Sequence, residues 1–180
     1  MAKLVKQEHA ALHQIAAEVP LEEISSKKIQ KILKDMRAAL DGYNIDGFNG
    51  VAIAAPQIGI SLRIFLVHNS STHKKEKGLI PDLIAINPQI IKLSKRKHIV
   101  GEGCLSVGEK YGAVSRSTHA TIRAYDENGT LYERGAGGLL AQIFQHEVDH
   151  LDGILFVDRA EKMWHKDDLE AQKFKEAENE

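Results

Sequence analysis

The segment Gln145-His146-Glu147-Val148-Asp149-His150 contains the pattern His-Glu-x-x-His. Residues four apart in a helix lie one above the other on one face, so His146 and His150 can grip a single metal ion. Glu147 then falls one step round, beside the ion rather than on it, where its carboxylate can hold a water without taking a coordination position. Two imidazoles need a third ligand, and the chain's single cysteine, Cys104, is the candidate. A His-His-Cys set with one open position is the layout of a catalytic metal site, because structural zinc sites are usually closed by four protein ligands. Thiolate with imidazole suits zinc, another late first-row ion or ferrous iron, and excludes a hard calcium or magnesium site.

The element carrying this pattern reads as a helix from Gly138 to Leu151. Leu139, Leu140, Ile143, Phe144, Val148 and Leu151 make it apolar round much of its circumference, which predicts a helix inside the fold, and Gly153 supplies a stop. Polar side chains on such a helix are costly unless each finds a partner, and a metal would partner the two histidines. Upstream, Ser25 and Ser26 are caps for a helix running to about Leu40, with Ile29, Ile32, Leu33, Met36 and Leu40 as its apolar stripe. The Asn-, Asp- and Gly-rich segment 44–50 breaks that periodicity. Leu62–His68, Leu83–Asn87 and Gln89–Leu93 are apolar runs predicting strands, the last two interrupted by Pro88. Residues 68–77 read as an exposed loop. Ala113–Ser115, Ala120–Tyr125 and Leu131–Arg134 predict short antiparallel strands, with Asp126–Gly129 as a hairpin turn. Helix, strands, buried helix and tail in that order predict an α+β fold, with small antiparallel or mixed sheets packed around a buried central helix.

The 180 residues predict one catalytic domain, 1–165, followed by a charged C-terminal helix or tail, 166–180. At this length folding buries roughly 70% of the extended chain's surface, so the core needs no staples. With 24 Lys plus Arg against 25 Asp plus Glu, the net charge of −1 argues against a generic binder of nucleic acid or anionic membranes. No stretch approaches the ~20 apolar residues of a membrane span. The first residues show neither a signal-peptide core nor a transit-peptide composition. One cysteine rules out an internal disulfide and points to the cytoplasm.

Three segments, in order and spacing, resemble the peptide deformylases. The family pattern Gly-x-Gly-x-Ala-Ala-x-Gln is met by Gly50-Val51-Ala52-Ile53-Ala54-Ala55-Pro56-Gln57, with Ala52 replacing the second glycine. Glu102-Gly103-Cys104-Leu105-Ser106 matches a second motif unchanged, and Gln145 to Gly153 matches Gln-His-Glu-x-Asp-His-Leu-x-Gly throughout. Weaker similarity runs from about His9 to Phe156.

The resemblance implies a deformylase-like fold and a hydrolase removing the formyl group from N-formylmethionyl nascent polypeptides, with release of formate. It implies one divalent ion on Cys104, His146 and His150, natively iron(II) and replaceable by zinc, nickel or cobalt. It implies that Glu147 takes the proton of the attacking water and passes it to the departing amine. Gln57, through its amide, and Leu105, through its backbone N–H, would face the oxygen that gains negative charge. Glu102 and Arg116 would pair and brace the Cys104 loop. Gly50, Val51 and Gly103 would offer backbone to an extended peptide. Leu139 and Ile143 are the candidates for the methionine pocket. A transient association with the ribosome follows from the nature of the substrate. The methyl of Ala52 either narrows the cleft or demands a negative φ where glycine is freer.

Overall fold

The structure is a computed structural model that describes residues 3–45, 48–68 and 80–168. Its elements are α1 (Lys27–Asp41), β1 (Asn44–Ile45), β2 (Phe48–Asn49), β3 (Ala52–Ala54), β4 (Ile64–Val67), β5 (Leu83–Leu93), β6 (Lys97–Gly103), β7 (Lys110–Ser117), β8 (His119–Tyr125), β9 (Leu131–Gly137), α2 (Gly138–Leu151), α3 (Phe156–Arg159) and β10 (Lys162–His165). β1 and β2 pair with each other. The other strands form a five-stranded sheet, β3-β4-β5-β8-β9, and a three-stranded sheet, β10-β7-β6. Every named pair is antiparallel, and among the described residues the one parallel contact is an isolated bridge between Ala17 and Leu62. The predicted α+β class is what the chain adopts.

The larger sheet is covered on both faces, and β4 shows why. Its four residues, Ile64, Phe65, Leu66 and Val67, are all fully buried. Successive side chains of a strand point to opposite faces. Ile64 and Leu66 join the stripe of α1 (Ile29, Ile32, Leu33, Met36, Leu40). Phe65 and Val67 meet Leu140, Ile143, Phe144, Val148 and Leu151 of α2. A continuous apolar run is the pattern such a two-sided strand requires. Ser26 caps α1 as predicted, its Oγ accepting from Ile29 N–H at 3.3 Å.

The two runs separated by Pro88 are one strand. β5 continues through the proline by a bulge, its register skipping between the pairs Ile86–Tyr125 and Gln89–Arg123. Proline has no N–H for a ladder, so a bulge is where a strand tolerates it. Asn87 at that bulge has φ 52°, and its amide clasps the N-terminal segment, accepting from Val19 N–H and donating to Val19 C=O, both at 2.8 Å.

α2 covers Gly138–Leu151, the predicted bounds. Gly153 follows it with φ 74°, and a Cβ there would stand 2.8 Å from the backbone N of Gln14. Its stop therefore reflects both the left-handed turn and the N-terminal segment packed against it. Of the expected 68–77 loop only His68 is described, and residues 169–180 of the expected tail lie outside the described residues. Trp164 is buried on β10, paired across to Tyr111. Among the described residues no helix is long and apolar enough to cross a membrane.

Candidate metal centre

Three elements meet at the site. α2 supplies His146, Glu147 and His150. The turn after β6 supplies Cys104, and the single turn of 3-10 helix after β3 (Ala55–Ile58) supplies Gln57. One donor atom each from Cys104, His146 and His150 lies within 4.8 Å of the others. Cys104 Sγ is 3.3 Å from His150 Nε2. The two imidazoles stand edge to face, 4.9 Å apart and inclined at 82°. Among the described residues this is the one grouping of three such donors able to close on an ion. The sulfur belongs to a small apolar cluster with Val114 and Phe156.

The electrostatics suit a cation. Burial alone would raise the Cys104 thiol, but the charge of His150 and the hydrogen bonds from both histidines pull it down to about 5. Burial alone would lower His146, yet its contacts with Cys104 and Glu102 hold it well above the ordinary imidazole value. The site thus favours a thiolate, the form in which cysteine binds metals. A soft sulfur and two imidazoles fit a transition ion.

Next to these donors, Glu147 is 4% exposed. Its Oε2 has no hydrogen-bond partner in the protein, and burial raises its carboxyl above the ordinary value. Gln57 is fixed at both ends of its amide, Oε1 accepting from Ala54 N–H at 2.8 Å and Nε2 donating to Cys104 Sγ at 3.4 Å. The turn holding Cys104 is closed by Val107 and Gly108 N–H groups on the Cys104 carbonyl, at 3.0 and 3.2 Å. Leu105 takes no part in that closure.

Glu102 and Arg116 are both buried and form a two-pronged ion pair. Arg116 Nε donates to Oε1 at 2.8 Å and Nη2 to Oε2 at 2.9 Å. Glu102 Oε2 also lies 3.0 Å from His146 Nδ1, which turns the other ring nitrogen toward the sulfur. Burial would raise Glu102, but the hydrogen bonds from Arg116 and His146 hold it at about 2.

A cleft of about 230 Å³ opens onto this group, lined by Gly50, Val51, Gly103, Leu139 and Ile143 among others. The residues expected to offer backbone and those expected to form the methionine pocket therefore share one cavity. The glycines have reasons beyond substrate. A Cβ at Gly50 would sit 2.7 Å from Leu40 and 2.8 Å from Leu105, and one at Gly103 would sit 2.8 Å from the ring of Tyr111. Ala52 has a negative φ, since Asn87 is the one non-glycine with positive φ among the described residues, and it also lines the cleft. Its methyl packs into the core beneath α2 without backbone strain.

Several contributors were not singled out from sequence. Tyr43, Tyr111 and Gln142 also line the cleft, and Gln142 Nε2 donates to Gly101 C=O on β6 at 2.9 Å. Gln145 ties α2 to β7 as a strand would, accepting from Ser117 N–H at 2.9 Å and donating to Ser117 C=O at 3.0 Å. Asp149 binds Arg116 Nη1 at 2.6 Å. An acid on an apolar helix calls for a buried cation, and that signal was available in the sequence for Asp149.

Residues 1–166 match the sequence pattern of the family described as polypeptide deformylase. A curated relative, peptide deformylase 1A of Solanum lycopersicum (chloroplastic), is 36% identical over 169 residues, covering 88% of this chain and 59% of that protein. Peptide deformylase of Bartonella quintana is 40% identical over 156 residues, covering 87% and 82%. In three dimensions the fold is similar to a Met-Ala-Ser-bound crystal structure of class I type b peptide deformylase from Acinetobacter baumannii. That likeness has a TM-score of 0.76 at 34% identity, covering 87% of this chain and 96% of the other. The chain belongs to the polypeptide deformylase family. It spans about three fifths of the length of the plant relatives it matches, 59% for the tomato protein and 61% for its Arabidopsis thaliana counterpart.

Proposed function

We propose that this chain is a metal-dependent hydrolase that removes the N-terminal formyl group from N-formylmethionyl nascent polypeptides and releases formate. The observation that carries this reading is a set of three donors, Cys104, His146 and His150, beside a buried carboxylate, Glu147, whose Oε2 has no partner, at a cleft of about 230 Å³. A divalent ion on those donors supplies Lewis acidity, lowering the pKa of a bound water toward ~7 and polarising the formyl oxygen. Iron(II) is the native ion in this reading, with zinc, nickel and cobalt able to replace it.

The protein's own groups do the rest. Glu147, made more basic by burial, takes the proton of the attacking water and hands it to the departing amine of methionine. Gln57 Nε2 and the Leu105 N–H donate to the formyl oxygen as it gains negative charge, and Gln57 is already held in place by Ala54. Glu102, clamped by Arg116, keeps the His146 ring in register. Gly50, Val51 and Gly103 pair with the peptide backbone, while Leu139 and Ile143 receive the methionine side chain. The peptide seen in the Acinetobacter baumannii structure, Met-Ala-Ser, has the chemistry expected of a deformylated product. Residues 1–165 form the catalytic unit and 166–180 a charged appendage. The reaction takes place in the cytoplasm, where a transient encounter with the ribosome brings the enzyme to its substrate.

The test is Glu147→Gln, with metal content checked after purification and formate release measured on formyl-Met-Ala-Ser. Loss of a general acid–base typically costs about 10²–10⁴ in rate. Undiminished turnover in the metal-loaded variant would refute the role given to Glu147, and no formate from the wild-type protein under any of the four ions would refute the activity.

A further inference from the structure

Asp149 stands between two guanidinium groups. Arg116 Nη1 donates to its Oδ2 at 2.6 Å. Arg159, on α3, presents a fork, with Nη2 on Oδ1 at 2.8 Å and Nε on Oδ2 at 2.7 Å. Arg116 grips Glu102 with its remaining nitrogens, and Glu102 holds His146 Nδ1. Five side chains of alternating charge thus run unbroken from α3 to one of the three donors. Arg159 is their exposed end, its side chain 44% exposed against 6% for Arg116 and 1% for Glu102. α3 also reaches the site directly, because the Phe156 ring stacks on His146 at 6.4 Å and 21°. Phe156 and Arg159 are three residues apart, hence neighbours on one side of a helical turn.

We infer that Arg159 is a positioning residue for the metal centre, orienting Asp149 so that Arg116 presents its fork to Glu102 and Glu102 fixes the ring of His146. The inference rests on the reading of Cys104, His146 and His150 as the metal ligands. An exposed arginine on a solvated carboxylate would contribute little to stability and nothing to a distant ligand. Here the carboxylate is shared and 10% exposed. Without Arg159 it keeps only Arg116 and is free to turn, and the turn is passed along groups that have no water to compensate. Two parallel bonds make the hold directional, so charge alone does not reproduce it.

The experiment compares wild type with Arg159→Met, which keeps the stem and removes the fork, and Arg159→Lys, which keeps the charge. The control is Arg123→Met, because Arg123 is an exposed arginine paired with Glu133 on β9. Zinc affinity is measured by competition with a chromophoric chelator, and ¹⁵N-histidine spectra of the metal-free proteins follow the His146 ring. Loss of an outer-shell partner typically weakens metal binding about 10–100-fold. Arg159→Met is expected at the lower end, about 10-fold. Arg159→Lys should recover only part of the loss, because an ammonium cannot span both oxygens. Arg123→Met should match wild type. The His146 Nδ1 signal should move in both Arg159 variants, less in Arg159→Lys than in Arg159→Met, and stay put in the control. Wild-type zinc affinity and an unmoved His146 signal in either folded Arg159 variant would overturn the inference. Failure of wild type itself to hold zinc would instead overturn the metal-centre reading.

Discussion

Replacing Arg116 by methionine removes the cation on which two buried carboxylates converge. The guanidinium is 6% exposed, Glu102 1% and Asp149 10%, so solvent screens the pair little. Glu102 lies at about 2 against an ordinary 4.5, a gap equivalent to about 3 kcal/mol in which Arg116 leads and His146 shares. Breaking a buried pair by removing one partner typically costs about 3–5 kcal/mol, in agreement. With a urea m-value of about 2 kcal/mol/M, a loss of about 3 kcal/mol moves the unfolding midpoint down by about 1.5 M at pH 7.

The pH dependence is the sharper part. A carboxyl depressed in the folded state stabilises the fold fully above its unfolded pKa, and the contribution fades as pH falls through the interval to the folded value. The gap between wild type and Arg116→Met should therefore be constant above about pH 5 and roughly half as large at pH 3. Urea titrations of the two chelator-treated proteins at pH 7, 5 and 3 read this directly, and metal removal keeps ligand-coupled stability out of the comparison. A gap that is equal at pH 7 and pH 3, or below about 1 kcal/mol at pH 7, would refute the argument that Arg116 holds Glu102 ionised.

Three further outcomes follow from contacts already described. Gln57→Ala should lower kcat by about 10²–10³ if the amide faces the developing oxyanion, with zinc still bound, and a change in KM alone would refute that role. Gly103→Ala should weaken binding of peptides more than it slows formyl-Met itself, because a Cβ 2.8 Å from Tyr111 displaces ring or strand where the peptide would pair; equal effects on both substrates would contradict it. Ala52→Gly should destabilise the fold by about 0.5–1 kcal/mol, the usual cost of glycine inside a strand, without accelerating turnover, since the native alanine is unstrained. A gain in kcat/KM would show that the methyl obstructs the cleft after all.

What the sequence conveyed follows the range of the physics involved. α1 and α2 were legible to within a residue or so at each end because their stripes and caps are local signals. The strands with alternation or apolar runs, β4, β8 and β9, were legible in part. β6 was not, because Lys97–Gly103 is mostly exposed and ends in two glycines around Glu102, so no periodicity marks it. Yet β6 is the strand that delivers Glu102, Gly103 and then Cys104. Pro88 misled for a definite reason, since the bulge that accommodates it depends on β8 lying alongside. For the site, His146, Glu147 and His150 were readable from spacing alone. The convergence of Cys104, 42 positions before His146, was a chemical expectation that only tertiary packing could meet. Arg159 had no local signal, because its partner Asp149 is reached through the turn after α2.

The polar groups of α2 make the most general point about how this helix is tolerated inside the core. Four of its polar residues, Gln145, Glu147, Asp149 and His150, are buried. Gln145 is satisfied by Ser117 and by Ala141 C=O, and Asp149 by two arginines. His146, half-buried, is satisfied by Glu102. Among the described residues three buried side-chain polar atoms lack a partner, namely Glu147 Oε2, His150 Nδ1 and Ser106 Oγ. Ser106 lies two residues from Cys104, and the other two are on α2. A core that pairs its other polar groups this completely, but leaves Glu147 Oε2 unpaired on a residue that lines the same cleft as Cys104, carries that desolvation cost where a ligand can reach it. A carboxylate oxygen kept free of internal donors is ready for a substrate water in a way a satisfied one is not.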